Sequence, residues 1–380
     1  MKVPKDAWDR APYNRWSFHH IREILPTAEV SRGQGAVDAL PRRESNLDGL
    51  AVTGVSGENA TLATLLEQTF TDGFLVIKDG AVAYERYFSG MTASDVHLSQ
   101  SVAKSVTGAV AGIMISRGQL DVSAPVTTYL PELAATAWKD ATLQQVLDMT
   151  TGVRFSEDYT DPLSDMGRMD VACGWKPPLA SVDPSHWPEN VWQLILTLRE
   201  TTRPHGVAFE YRSIETDVLA FCMERVSGKR LAQLVSEELW QKLGAEQNAC
   251  FTIDPDGYAI ADGGFNACLR DYARFGQLIL EGGRGVVPEQ WISATRNGNH
   301  QLFGHPYSVT LPEGAYHNQF WIEDAKSRNL MARGVFGQMI YISWEHNMVV
   351  VKLSTWPDFL NPRLANATRG ACHRIGAALG

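Results

Sequence analysis

The chain has 380 residues, of which 44% are hydrophobic and 20% charged, so it is globular with a buried core and neither disordered nor collagen-like. Its 34 basic and 43 acidic residues leave a net charge of −9, which excludes a nucleic-acid partner held by phosphate neutralisation. No apolar run approaches the roughly 20 residues of a membrane helix, and at roughly 150 residues per domain the length suggests two or three domains.

The N-terminus, MKVPKDAWDRAPYN, has no apolar segment of the export type, so a cytoplasmic protein is expected. Cys173, Cys222, Cys250, Cys268 and Cys372 show no CxxC spacing and read as reduced, buried hydrophobes. Residues 1–60 are rich in Pro, Gly and polar residues and read as a wrapping arm, with Ser31 to Gly57 as loop. Thr61 to Phe70 carries apolar residues at helical spacing. Phe74 to Ile77, Asp79-Gly80 and Val82 to Phe88 read as a β-hairpin, because Asp-Gly accepts positive φ at both turn positions. Val102 to Ser116 is apolar on nearly every side, a buried helix.

Helical patterns follow at Leu143 to Met149, Val191 to Leu198, Thr216 to Val226, Leu231 to Leu243, Arg270 to Leu280 and Pro288 to Thr295. Between the first two, Thr150 to Pro188 lacks periodicity and reads as a long functional loop. Strands return at Gln338 to Trp344 and Met348 to Ser354, and Arg363 to Leu379 closes the chain as a helix. Strands near both ends with helices between them predict one antiparallel sheet built from both ends, interrupted by a helical insert.

The chain has no phosphate loop, GxGxxG, HExxH or GxSxG, and its histidines lack metal-ligand spacing. It does have Ser101-Val102-Ala103-Lys104, an SxxK opening the buried helix. Residues i and i+3 share a helix face, so the Lys104 amine reaches the Ser101 hydroxyl. Burial lowers a lysine pKa and makes it a base, and the helix N-terminus offers N–H groups to an oxyanion. The alternative is Ser101 as a helix cap with Lys104 reaching water. Tyr211-Arg212-Ser213 precedes the helix near Thr216. Its phenol can relay a proton with Ser213 as support, or Tyr211 is core and Ser213 a cap. Gly334-Val335-Phe336-Gly337-Gln338 leads into a strand. Its glycine permits close backbone approach, or the segment is a simple turn.

SVAK, YRS and FGQ in this order resemble the serine hydrolases of the class C β-lactamase, penicillin-binding-protein and carboxylesterase superfamily. The stretches FEYRSIETDVLA and VVKLSTW are more similar to the 6-aminohexanoate-dimer (nylon-oligomer) hydrolases. The resemblance implies a β-lactamase/penicillin-binding-protein-like α/β (α+β) fold, an antiparallel sheet flanked by helices plus an inserted all-helical domain. Residues 1–95 and 265–380 would form the sheet domain, and 96–264 the helical domain carrying SxxK and YxS. It implies Ser101 as acylated nucleophile, Lys104 as base, Tyr211 as second acid/base, and the backbone N–H groups of Gln338 and Ser101 as oxyanion hole. Tyr159 and Trp175 would contact substrate, Asp170 would receive a substrate amine, and Asp262 would tune the site. Asp170 also reads simply as one acid of a solvated loop.

Val335-Phe336-Gly337 stands where many relatives have Lys-Thr-Gly. The carboxylate-binding lysine is thus missing, and Phe336 and Gly337 would make an apolar wall suited to aliphatic amides or esters. The expectation is a serine amidase or carboxylesterase acting on a small molecule without metal or cofactor, with no nucleic-acid or membrane partner and with a homodimer left open. The alternatives are an esterase without amidase activity, a D-amino peptidase or transpeptidase-like enzyme, and an inactive binding or scaffold protein.

Overall fold

The computed structural model describes residues 2–380. A seven-stranded antiparallel sheet runs in the order Ala81–Tyr87, Thr71–Lys78, Met348–Ser354, Gln338–Ser343, Leu330–Gly334, Phe320–Ile322, Ala315–His317. Both ends of the chain therefore contribute, as expected. The hairpin turn is the expected one, with Asp79 at φ 50° and Gly80 at φ 73°. Alternation along each strand sorts the core into two layers. Leu75, Ile77, Ile340, Ile342, Val349 and Val351 join one layer with Phe275 and Leu278 of the helix Leu269–Leu280. Phe74, Val76, Tyr341, Met348 and Val350 join the other, with Ala371, Cys372 and Ile375 of the helix Pro362–Leu379.

Three findings depart from the sequence expectations. First, there is not one sheet. A four-stranded sheet, ordered Thr27–Val30, Ala249–Thr252, Phe265–Cys268, Val96–Leu98, and a two-stranded one join the large sheet. These strands have three or four residues, too few for alternation to show. The four-stranded sheet draws on both sides of the division expected at residue 264. Second, the loop Thr150 to Pro188 contains the helix Asp165–Ala172, capped by Ser164, whose hydroxyl accepts from the Gly167 N–H. Third, the helix expected over Leu231 to Leu243 contains a π-turn at Ser236–Trp240.

The helix Val102–Ser116 is buried over Val102 to Met114. The small sheet fixes where it starts: Val96–Leu98 ends the sheet, and Ser99 N–H donates to Phe265 O at 3.0 Å. The N-terminal arm is packed down as well. Trp8 is fully buried and donates to Trp175 O at 2.8 Å, and Asn14 donates to Trp356 O at 2.9 Å. Among the described residues no helix is long and apolar enough to cross a membrane.

Candidate active site

Ser101 occupies the cap position of its helix, yet its side chain caps nothing. The hydroxyl is free for another role, and Lys104, 1% exposed, does not reach water. Lys104 Nζ instead donates to Ser101 Oγ at 2.8 Å, to Ser213 Oγ at 3.1 Å and to the Asp262 carbonyl at 2.6 Å, with the Asp262 carboxylate at 3.7 Å. Asp262 lies between two strands of the small sheet, so the sheet that places Ser101 also places the acceptor of the lysine. Tyr211 lines the cavity beside Ser101, and Lys104 Nζ lies 5.1 Å from the centroid of its ring. Its ring stacks on Trp321 with centroids 5.4 Å apart and planes at 23°, and its N–H donates to Tyr307 Oη at 2.9 Å.

Close backbone packing brings the late strand to the nucleophile. Gly334 lies against Ser99 and Gln100, and a methyl group there would sit closer than 3.0 Å to the Ser99 carbonyl oxygen. Gln338 is anchored by its side chain. Its Oε1 accepts from Ser354 N at 3.1 Å and its Nε2 donates to Ser354 O, which fixes the Gln338 backbone at the cavity wall.

Charge in the site differs from the expectation that burial leaves Lys104 neutral. Burial does lower its pKa, but Tyr211 and the anions Asp262 and Glu157 together outweigh it, and the net shift is upward. Tyr211 is raised too, by burial, against the pull of Lys104, so near neutral pH it is a phenol. The resting ammonium is therefore held by the carboxylates. Glu157 also organises the second motif. Its carboxylate accepts from Ser213 N at 2.9 Å, from Ser213 Oγ, and from Tyr159 Oη at 2.6 Å. Ser213 thus links Glu157 to Lys104, where the sequence suggested support of Tyr211.

A cavity of about 440 Å³ opens on Ser101, within the usual range for small-molecule sites. Tyr159, Tyr211, Trp321, Trp356, Phe359 and Gln338 are among its walls. Of the expected contact residues, Tyr159 and Gly337 line it. Phe336 does not: at φ 61° it is fully buried between Phe18 and Phe359, and Phe359 supplies the apolar wall in its place. Trp175 lies behind Gly263 and donates to Thr252 Oγ1 at 3.1 Å. Asp170 is not presented to the cavity. Lys176 takes its carboxylate at 2.8 Å and pairs with Asp9 at 3.0 Å, while burial raises the Asp170 pKa to about 6. Motif spacing did not reveal Glu157, Trp321, Arg333 or Phe359. The acidic Glu157-Asp158-Tyr159 stretch was the available signal for the first.

Comparison with known proteins fits this geometry. The profile of the Beta-lactamase family matches residues 59–374. A 6-aminohexanoate-dimer hydrolase of Paenarthrobacter ureafaciens is 37% identical over 359 residues, spanning 93% of this chain and 88% of the relative. A solved Bacillus anthracis structure described as a 6-aminohexanoate-dimer hydrolase superposes with a TM-score of 0.91 at 30% identity, covering 100% of this chain and 97% of that one. The hydrolase EstCE1, at 17% identity and a TM-score of 0.64 over 82% of this chain and 98% of its own, shares the fold. The chain belongs to the β-lactamase family and is a serine hydrolase of amide or ester bonds.

Proposed function

We propose that the protein cleaves linear amides of the 6-aminohexanoate-dimer type, and short esters, through an acyl-enzyme on Ser101. The observation that carries this reading is the Lys104 Nζ to Ser101 Oγ contact of 2.8 Å beside a cavity lined by Ser101 and by six aromatic side chains. Lys104 and Tyr211 act as one titrating pair. When that pair has lost one proton, it accepts the Ser101 proton as Oγ bonds to the substrate carbonyl carbon. The carbonyl π electrons move onto oxygen, which the N–H groups of Ser101 and Gln338 receive. The intermediate collapses, the carbon–nitrogen or carbon–oxygen bond breaks, and Tyr211 gives the proton to the leaving amine or alcohol. Water then repeats the sequence on the acyl-enzyme and returns the pair to its starting proton count.

The named substrate class is supported by the 37% identical relative and by the aromatic wall without a lysine at the third motif. Five unpaired, buried cysteines suit a reducing, cytoplasmic setting. The test is a kinetic comparison of p-nitrophenyl acetate and butyrate with the linear 6-aminohexanoate dimer. Turnover of all three is expected. Esters cleaved without the dimer would reduce the protein to a carboxylesterase.

A further inference from the structure

The cavity has a second chemically distinct end. Arg333, on the strand Leu330–Gly334, and Arg369, on the C-terminal helix, both line it. Among the described residues, Arg333 has no carboxylate within 4.0 Å of its nitrogens and no side-chain hydrogen bond; what it does touch is the face of Trp321, 5.1 Å from the ring centroid. Burial and the neighbouring Arg369 pull its pKa down to about 10, so it is still a cation at neutral pH. Arg369 is only partly occupied. It donates to Thr310 O at 2.8 Å, and its Nε is 3.9 Å from a Glu323 oxygen that His373 approaches at 2.6 Å. A half-buried, unpaired guanidinium beside a second cation is costly until an anion arrives, and its fork matches a carboxylate.

Trp321 connects this end of the cavity to Tyr211. Tyr211 stacks on that indole, and Arg333 sits over it. Arg333 and the group assigned to protonate the leaving atom are therefore neighbours of one indole in the cavity wall. Tyr159, stacked on Phe359 at 5.2 Å, lines another part of the wall.

We propose that Arg333, backed by Arg369, is a carboxylate-binding subsite for the leaving-group half of the substrate, selecting amides and esters whose leaving group ends in a carboxylate. The assignment of the leaving-group side rests on the acyl-transfer reading above. It also supplies, from a different strand position, the carboxylate recognition lost with the third-motif lysine.

Two measurements test it. Calorimetry compares binding of hexanoate with hexanamide, and kinetics compares the 6-aminohexanoate dimer with its C-terminal carboxamide, in the wild type, Arg333→Gln and Arg333→Lys. The wild type should favour the carboxylate member of each pair by about 10- to 100-fold. Arg333→Gln should erase that ratio, and Arg333→Lys should keep part of it. A wild type without preference, or an Arg333→Gln variant that weakens both members equally, would overturn the subsite. Calorimetry needs no turnover, so a protein that binds hexanoate selectively but cleaves neither amide nor ester would sink the hydrolytic reading and leave the subsite standing.

Discussion

Gly334→Ala tests how the site is assembled. Gly334 is extended, at φ −131° and ψ 153°, so alanine meets no backbone penalty and the perturbation is purely steric. The added methyl would lie closer than 3.0 Å to the Ser99 carbonyl oxygen, 3.0 Å from Gln100 Cβ and 3.1 Å from Gln338 Cβ. Ordinary contact begins at 3.4 Å, so the strand and the Ser99–Ser101 turn must separate by at least about 0.4 Å. Ser99 cannot easily yield, because its N–H and its hydroxyl both bond Phe265 O at 3.0 Å. The displacement falls between Ser101 and Gln338, the two residues that must close on one carbonyl. A misplacement of about 1 Å costs roughly 100-fold in rate, so kcat on p-nitrophenyl acetate should fall about 10- to 100-fold. Overpacking should cost about 1–3 kcal/mol of stability. The assay is steady-state hydrolysis beside urea unfolding of the same preparation. Full activity at an unchanged midpoint would refute the claim that close packing at Gly334 sets the gap between nucleophile and oxyanion donor.

Because both members of the Lys104–Tyr211 pair are shifted upward and the active form lacks one of their protons, kcat/KM should rise with pH. Asp262→Asn removes the carboxylate 3.7 Å from the ammonium and should move that acid limb to lower pH, whereas a limb that stays or moves upward would show that Asp262 does not hold the charge. Asp170→Asn should cost about 1–3 kcal/mol in thermal or urea unfolding, less than the roughly 3–5 kcal/mol of breaking an isolated buried pair, because Lys176 keeps Asp9 at 3.0 Å. It should lower dimer and ester turnover equally; a selective loss on the dimer would restore the substrate-amine role for Asp170.

Much of this architecture was legible because it rests on long periodic segments. The helix Val102–Ser116, the hairpin over residues 71–87 and the paired strands Gln338–Ser343 and Met348–Ser354 all bury continuous apolar faces that a sequence displays. The four-stranded sheet was not legible, since each strand contributes too few residues for a period to emerge. Within the site, Ser101 and Lys104 were readable from a three-residue offset on one helix. The charge of Lys104 was not, because Asp262 and Glu157 reach it from loops far away in the chain. Phe336 was misplaced for a conformational reason, its left-handed backbone setting the ring in the core and leaving Phe359 at the wall. The ion pair of Asp170 was not legible, because nothing local announces that Lys176 turns back onto it.

Ser101, paired with Lys104, is the acylated nucleophile in the mechanism proposed above. Intact-protein mass spectrometry after reaction with a fluorophosphonate, followed by peptide mapping, tests it directly. A single adduct on Ser101 that forms in step with loss of esterase activity, and that is absent from Ser101→Ala and from Lys104→Ala, is the predicted result. Active protein that stays unlabelled, or that carries its adduct on another residue, would contradict it.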